Sequence, residues 1–176
     1  MIMDINKVQI EAVKGNIVKQ PDMQVVVNAA NAELRLGGGV AGAIHRAAGT
    51  GMESECRKYA PINPGEAVIT GAHELPNDYV IHCLGPVYGV DEPSDKLLAA
   101  CYKNSIKLAD DYKLESIAFP AISTGAFRFP IEQATDIALV EVKKQIKQIS
   151  HLKRIRFVLF SQKDLDIYQR KLKEIL

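Results

Sequence analysis

The chain of 176 residues has no tryptophan, and only 6% of it is aromatic. Its three cysteines, Cys56, Cys83 and Cys101, are an odd number without Cys-x-x-Cys spacing, so the sequence signals neither a zinc site nor a disulfide framework. No apolar run approaches the roughly 18 residues that a membrane span requires. The opening segment, Met1 to Lys7, lacks the apolar centre of a signal peptide. Neither charge dominates, with 22 Lys and Arg against 21 Asp and Glu, so there is no global pull toward nucleic acid or an anionic membrane. No G-x-x-x-x-G-K-[ST] run occurs, which removes ordinary nucleoside-triphosphate hydrolysis. These absences lead us to expect a soluble, cytoplasmic, reduced protein. It is expected to be a monomer, with no nucleic acid, membrane, metal or cofactor among its requirements.

What is present is a well-fed core. At 47% hydrophobic, residues 1–176 are expected to form one globular domain. Charge is unevenly placed: residues 143–176 hold 10 Lys and Arg against 3 Asp and Glu, which reads as the solvated face of terminal helices. Strand-like runs at Val8–Val13, Met23–Ala29, Glu66–Gly71, Tyr79–Leu84, Ser116–Phe119 and Ile155–Phe160 alternate with helical patterns. The helices are expected over Val40–Ala48, Met52–Tyr59, Pro93–Tyr112, Ile131–Ile149 and Asp164–Leu176. Such alternation predicts an α/β fold with a largely parallel sheet, whose ligands bind at the carboxyl ends of the strands.

Two of those strand ends are unusual. The β-branched run Val25-Val-Val leads into Asn28-Ala-Ala-Asn31, and Gly37-Gly38-Gly39 then opens a helix at Val40-Ala41-Gly42. A glycine turn at a helix N-terminus presents unpaired N–H groups and the positive end of the helix dipole, and both attract phosphate. The second, Ser116–Ile122, leads into Ser123-Thr124-Gly125-Ala126-Phe127 before Pro130 begins a new helix. Two anion-cradling loops fit a diphosphate held between them, and the asparagine amides can recognise a sugar. The formal G-x-G-x-x-G over Gly37–Gly42 does not make a dinucleotide site, because Asn31–Leu36 separate it from its strand and Glu53 and Glu55 fall in a helical stretch.

Taken in order, these segments resemble the macro domain family, which binds ADP-ribose. Gly15-Asn16-Ile17 sits where that family has Gly-Asp-Ile against adenine. Asn28–Asn31 resembles its asparagine motif, with Asn31 at the distal ribose. Gly37–Gly42 resembles the first phosphate loop and Ser123–Phe127 the second. Ile81-His-Cys-Leu-Gly-Pro86 is similar to a recurrent strand end, and Phe160 to an aromatic that packs on adenine. Gly42-Ala-Ile-His-Arg-Ala-Ala-Gly49 is closest to the MacroD-type members.

The resemblance implies a three-layer α/β/α sandwich around a mixed, largely parallel sheet. It implies ADP-ribose contacts from Asn16, Ile17, Asn28, Asn31, Gly37, Gly38, Gly39, Val40, Ala41, Ser123, Thr124, Gly125, Ala126, Phe127 and Phe160, with Asn31 and His45 as catalytic candidates. ADP-ribose or an ADP-ribosylated protein is then the ligand. Three positions depart from the pattern. Asn16 replaces a carboxylate, which weakens an adenine hydrogen bond by about 1 kcal/mol. Arg128 stands where a small glycine is common. Ala41 stands where MacroD-type enzymes commonly have Asp, so His45, one turn on, has no acidic neighbour there and reads equally as a polar residue of the helix surface. Two readings therefore stand side by side: a hydrolase of ADP-ribosyl esters or O-acetyl-ADP-ribose, and a module that only binds.

Overall fold

In the computed structural model, which describes residues 1–176, seven strands and five helices follow one another as a mixed α/β arrangement. The strands are β1 (Ile2–Ile5), β2 (Val8–Lys14), β3 (Val25–Ala29), β4 (Ala67–Gly71), β5 (Tyr79–Cys83), β6 (Ser116–Phe119) and β7 (Arg154–Leu159). The helices are α1 (Gly39–Ala48), α2 (Thr50–Cys56), α3 (Ser94–Asp111), α4 (Ile131–Gln145) and α5 (Gln162–Ile175). They form one sheet in the order β1-β2-β7-β6-β3-β5-β4. The five central strands run parallel, and the edge strands β1 and β4 are antiparallel to their neighbours.

Period-two alternation splits the strand residues between two cores. Val25 and Val27 of β3 face a cluster of 30 buried residues completed by α3, α4 and α5, including Leu98, Tyr102, Ala138 and Tyr168. Val26 faces the opposite way, into a cluster of 16 residues completed by Ile44 and Ala48 of α1 and Met52 and Cys56 of α2. Because β3 is covered on both sides, its run of valines needs no polar alternation. Helix α5 starts where Ser161 accepts a hydrogen bond from the Asp164 N–H at 3.1 Å, a side-chain cap for an otherwise unpaired donor.

Strand β1 was not anticipated. It is four residues long and half exposed, and it gains its place by antiparallel register with β2, Ile2 opposite Glu11 and Ile5 opposite Val8. Helix α4 ends at Gln145, short of the expected Ile149, and Pro130 caps it rather than opening its first turn. No helix is long and apolar enough to cross a membrane.

Chain direction fixes the place of the site. After β3 the chain crosses to the face of α1 and α2; after β6, the adjacent parallel strand, it crosses to the face of α4. Neighbouring strands whose connections leave on opposite faces open a crevice at their carboxyl ends, where α/β sheets receive ligands.

Candidate functional site

Both glycine-bearing loops rise from that crevice. In the first, the N–H groups of Gly37, Gly38, Gly39, Val40 and Ala41 make no hydrogen bond within the protein, and the first bond of α1 runs from the Gly42 N–H to the Gly38 carbonyl at 3.2 Å. A side chain at Gly42 would strike the Gly37 carbonyl oxygen, so the chain can fold back onto its own helix only with glycine there. In the second loop the N–H groups of Ser123, Gly125, Ala126 and Phe127 are likewise free, while Thr124 Oγ1 donates to the Ala121 carbonyl at 2.8 Å and holds the turn. Val40 and Phe127, one from each loop, pack against the same core cluster, which brings the two cradles to one place. Neither stretch, 37–40 nor 123–127, contains an ionisable side chain. Their capacity is to hold an anion with neutral dipoles, as helix N-termini and backbone nests do.

Asn31 stands at the mouth of the first loop. Its Nδ2 donates to the Arg35 carbonyl at 2.8 Å, its Oδ1 accepts from the Arg35 N–H at 3.0 Å, and a side chain on Gly37 would come within 3.0 Å of Nδ2. The amide is thus fixed beside the glycines and half exposed. Asn16 is exposed, with Oδ1 accepting from the Val18 N–H at 3.1 Å, and Phe160, one residue beyond β7, is 88% exposed. An aromatic ring left that open at the rim of a crevice is a surface for stacking.

Four of the expected site residues have buried side chains. Asn28 is fully buried and its amide meets His82 Nδ1 at 3.0 Å, so its side chain supports the strand ends and does not face the crevice. The Ile17 side chain is packed in the smaller core, leaving only its backbone toward a ligand. The Ser123 hydroxyl is buried without a partner beneath Gly85, where any side chain would collide with it. His45 is not on the helix surface: it is 6% exposed, its ring centroid lies 6.3 Å from that of His82, and its Nε2 is buried with no partner. Burial pulls the His45 pKa below the ordinary histidine value, against a weaker upward pull from Glu53. The ring is held neutral and inward, and Ala41, one turn before it, is itself buried.

Around it lies a group that spacing along the chain does not announce: Asn28, His82, Thr70 and Cys56, all on the smaller face. The only signal for it was the run Ile81–Pro86, which reads as a strand end. A second such group lies across β2 and β7. Arg156 Nε donates to Glu11 Oε1 at 2.8 Å, its Nη1 to Gln20 Oε1 at 2.9 Å and its Nη2 to Asp22 Oδ2 at 2.7 Å. Gln20 Nε2 in turn donates to the Asn16 carbonyl at 2.9 Å, which ties the loop bearing Asn16 and Ile17 to the sheet.

The fold and the sequence have known relatives. Residues 27–138 match the family model described as Macro domain. A macro domain-containing protein of Caldanaerobacter subterraneus is 46% identical, covering 96% of this chain and 98% of its own length. A Klebsiella pneumoniae protein named O-acetyl-ADP-ribose deacetylase is 44% identical over 94% of this chain and 97% of its own. The Oceanobacillus iheyensis macrodomain, solved with ADP, superposes with a TM-score of 0.94 at 39% identity, covering 99% of this chain and 95% of that one. A mutant of the same macrodomain has been solved with ADPR.

Proposed function

The chain belongs to the macro domain family, and from that premise we propose that it binds ADP-ribose in the crevice between the β3 and β6 loops and hydrolyses mono-ADP-ribosyl esters. The observation that carries the proposal is the pair of converging loops with unpaired N–H groups, set beside the fixed amide of Asn31. In this reading the diphosphate lies across the two cradles, the distal ribose meets Asn31, and the purine lies on Phe160 near the Asn16–Ile17 backbone. The names and ligands of the relatives, O-acetyl-ADP-ribose deacetylase, ADP and ADPR among them, support the same assignment.

The chemistry follows from what the loops lack. With Ala41 in place of a carboxylate and His45 turned inward, no side chain of the first loop can serve as a base. A substrate phosphate oxygen, held by the cradle, is the group left to orient and deprotonate water. Water then replaces the acyl oxygen at C1″ of the distal ribose, giving ADP-ribose and a free Glu or Asp carboxylate. Asn31 holds the ribose hydroxyls, and misplacing the reacting carbon by about 1 Å costs on the order of 10²-fold in rate. A single domain over residues 1–176 suffices for this scheme.

Ala41 and the buried His45 favour a second reading, a module that binds ADP-ribose without turnover. Incubation with a protein mono-ADP-ribosylated on Glu or Asp separates the two. Release of ADP-ribose, abolished in Asn31→Ala and reduced less than tenfold in His45→Ala, is the expected result. Micromolar binding by calorimetry with no release, in the parent and in Ala41→Asp alike, would leave the binding module.

A further inference from the structure

We propose that His45 Nε2, Cys56 Sγ and His82 Nε2 form a buried site for one thiophilic cation of the zinc class, beneath α1 and apart from the crevice loops. One donor atom from each of His45, Cys56 and His82 lies within 4.8 Å of the other two, and the residues come from α1, α2 and β5. All three residues are buried, at 6%, 1% and 0% exposure. Cys56 Sγ and His82 Nε2 are 3.8 Å apart, against roughly 3.6 Å between a sulfur and a nitrogen bound tetrahedrally to zinc. Two imidazoles and one thiolate are a donor set for zinc and its softer neighbours, not for magnesium or calcium.

The second observation is the unmet bonding in the cluster. His45 Nε2 is buried with no hydrogen-bond partner, a state that costs about 1–3 kcal/mol in a protein interior. A buried ring nitrogen without a partner is available to an ion. Asn28 Oδ1 is also buried and unpartnered, while its Nδ2 meets His82 Nδ1 at 3.0 Å. Exchanging the ends of that carboxamide lets Oδ1 accept from Nδ1–H of His82 and leaves the Nε2 lone pair directed into the cluster. This is the usual way an outer partner sets the tautomer of a metal-binding histidine. Thr70 Oγ1 lies 2.9 Å from His82 Nε2 and, in this tautomer, donates its hydrogen there, a contact that an ion would displace.

The electrostatic surroundings agree. The thiolate and not the thiol binds such an ion, so uptake at Cys56 releases one proton per ion. Glu53 and Glu55, on α2, offset the positive charge that a dication and one thiolate leave behind.

The test uses the intact chain, stripped of metal with a chelator and kept reduced, then titrated with Co²⁺ and afterwards Zn²⁺. The expected result is one ion per chain and a thiolate-to-cobalt charge-transfer band that Zn²⁺ abolishes. Release of one proton on uptake in weakly buffered solution should accompany it. Cys56→Ser should abolish the band, while Cys83→Ser and Cys101→Ser should keep it. Asn28→Ala should weaken the ion by about 10- to 100-fold, as loss of an outer partner does. Should Cys56→Ser fail to fold, His45→Gln provides the same loss of a ligand. A folded parent chain that shows no stoichiometric band overturns the site, as does a band that survives in a folded Cys56→Ser or a Co²⁺ affinity left unchanged in a folded His45→Gln.

Discussion

The two faces of one sheet are built on different principles. The face under α3, α4 and α5 is a cluster of 30 apolar residues in which Phe119, Phe157, Tyr102 and Tyr168 touch ring to ring. The face under α1 and α2 is half that size and is interrupted by polar groups: Asn28, Thr70, His45 and His82 at one end, Glu11, Arg154 and Arg156 at the other. Both glycine loops rest their apolar side chains on the second face. The larger face supplies stability, and the smaller one has room for chemistry because it is not asked to carry the fold alone.

Breaking the larger face should cost most. Phe157→Ala removes a fully buried ring from the aromatic stack, and the expected loss is about 3–5 kcal/mol in urea titrations. Where that variant is still folded, its affinity for ADP-ribose should stay within about twofold of the parent, because the sites are independent. A comparable loss of affinity would mean that the two faces are coupled.

On the smaller face, Arg156→Met leaves the largely buried Glu11 carboxylate only the longer contact to Arg154 at 3.4 Å and should cost about 3 kcal/mol. The hydrogen bond from Arg156 holds the Asp22 carboxyl well below its usual value of 3.8. A depressed carboxyl contributes stability above its unfolded pKa and loses it as pH falls toward the folded one. The gap in melting temperature between parent and variant should therefore be widest near neutral pH and narrow below about pH 4. A gap that is flat with pH would show that Asp22 contributes nothing.

The crevice should respond in the opposite manner, with function lost and stability kept. A side chain at Gly125 meets nothing within 4 Å, so Gly125→Glu should melt within about 2 °C of the parent while binding ADP-ribose at least about 100-fold more weakly. Normal binding in that variant would remove the β6 loop from the phosphate site. The smallest effect is expected at the rim. Phe160→Ala should weaken ADP-ribose by about 1–3 kcal/mol by calorimetry and leave the melting temperature unchanged.

The α/β alternation, six of the seven strands and the glycine loops were legible in the sequence because each is a local pattern: a β-branched run, a glycine cluster, a helical period. Strand β1 was not, since its register with β2 and not its own composition makes it a strand. The loops' unpaired backbone donors were also legible, because such loops leave N–H groups free whatever their side chains. The burial of His45 was not legible, because helical spacing gives its face and not what covers that face. The polar clusters were hidden for a plainer reason. Asn28 and His82 are 54 residues apart, and Glu11 and Arg156 are 145 apart, so only the sheet brings them together.

The exposed ring of Phe160 also has an optical consequence. A chain without tryptophan has no indole emission, so the indole of Phe160→Trp could be excited alone, at wavelengths its six tyrosines hardly absorb. Its ring would lie on the open rim at the end of β7, in water until something flat settles on it. A purine stacking there would exchange solvent for a π-face and change the emission directly. One substitution thereby turns the chain into its own fluorescent titrant, able to follow the arrival and departure of nucleotide in real time.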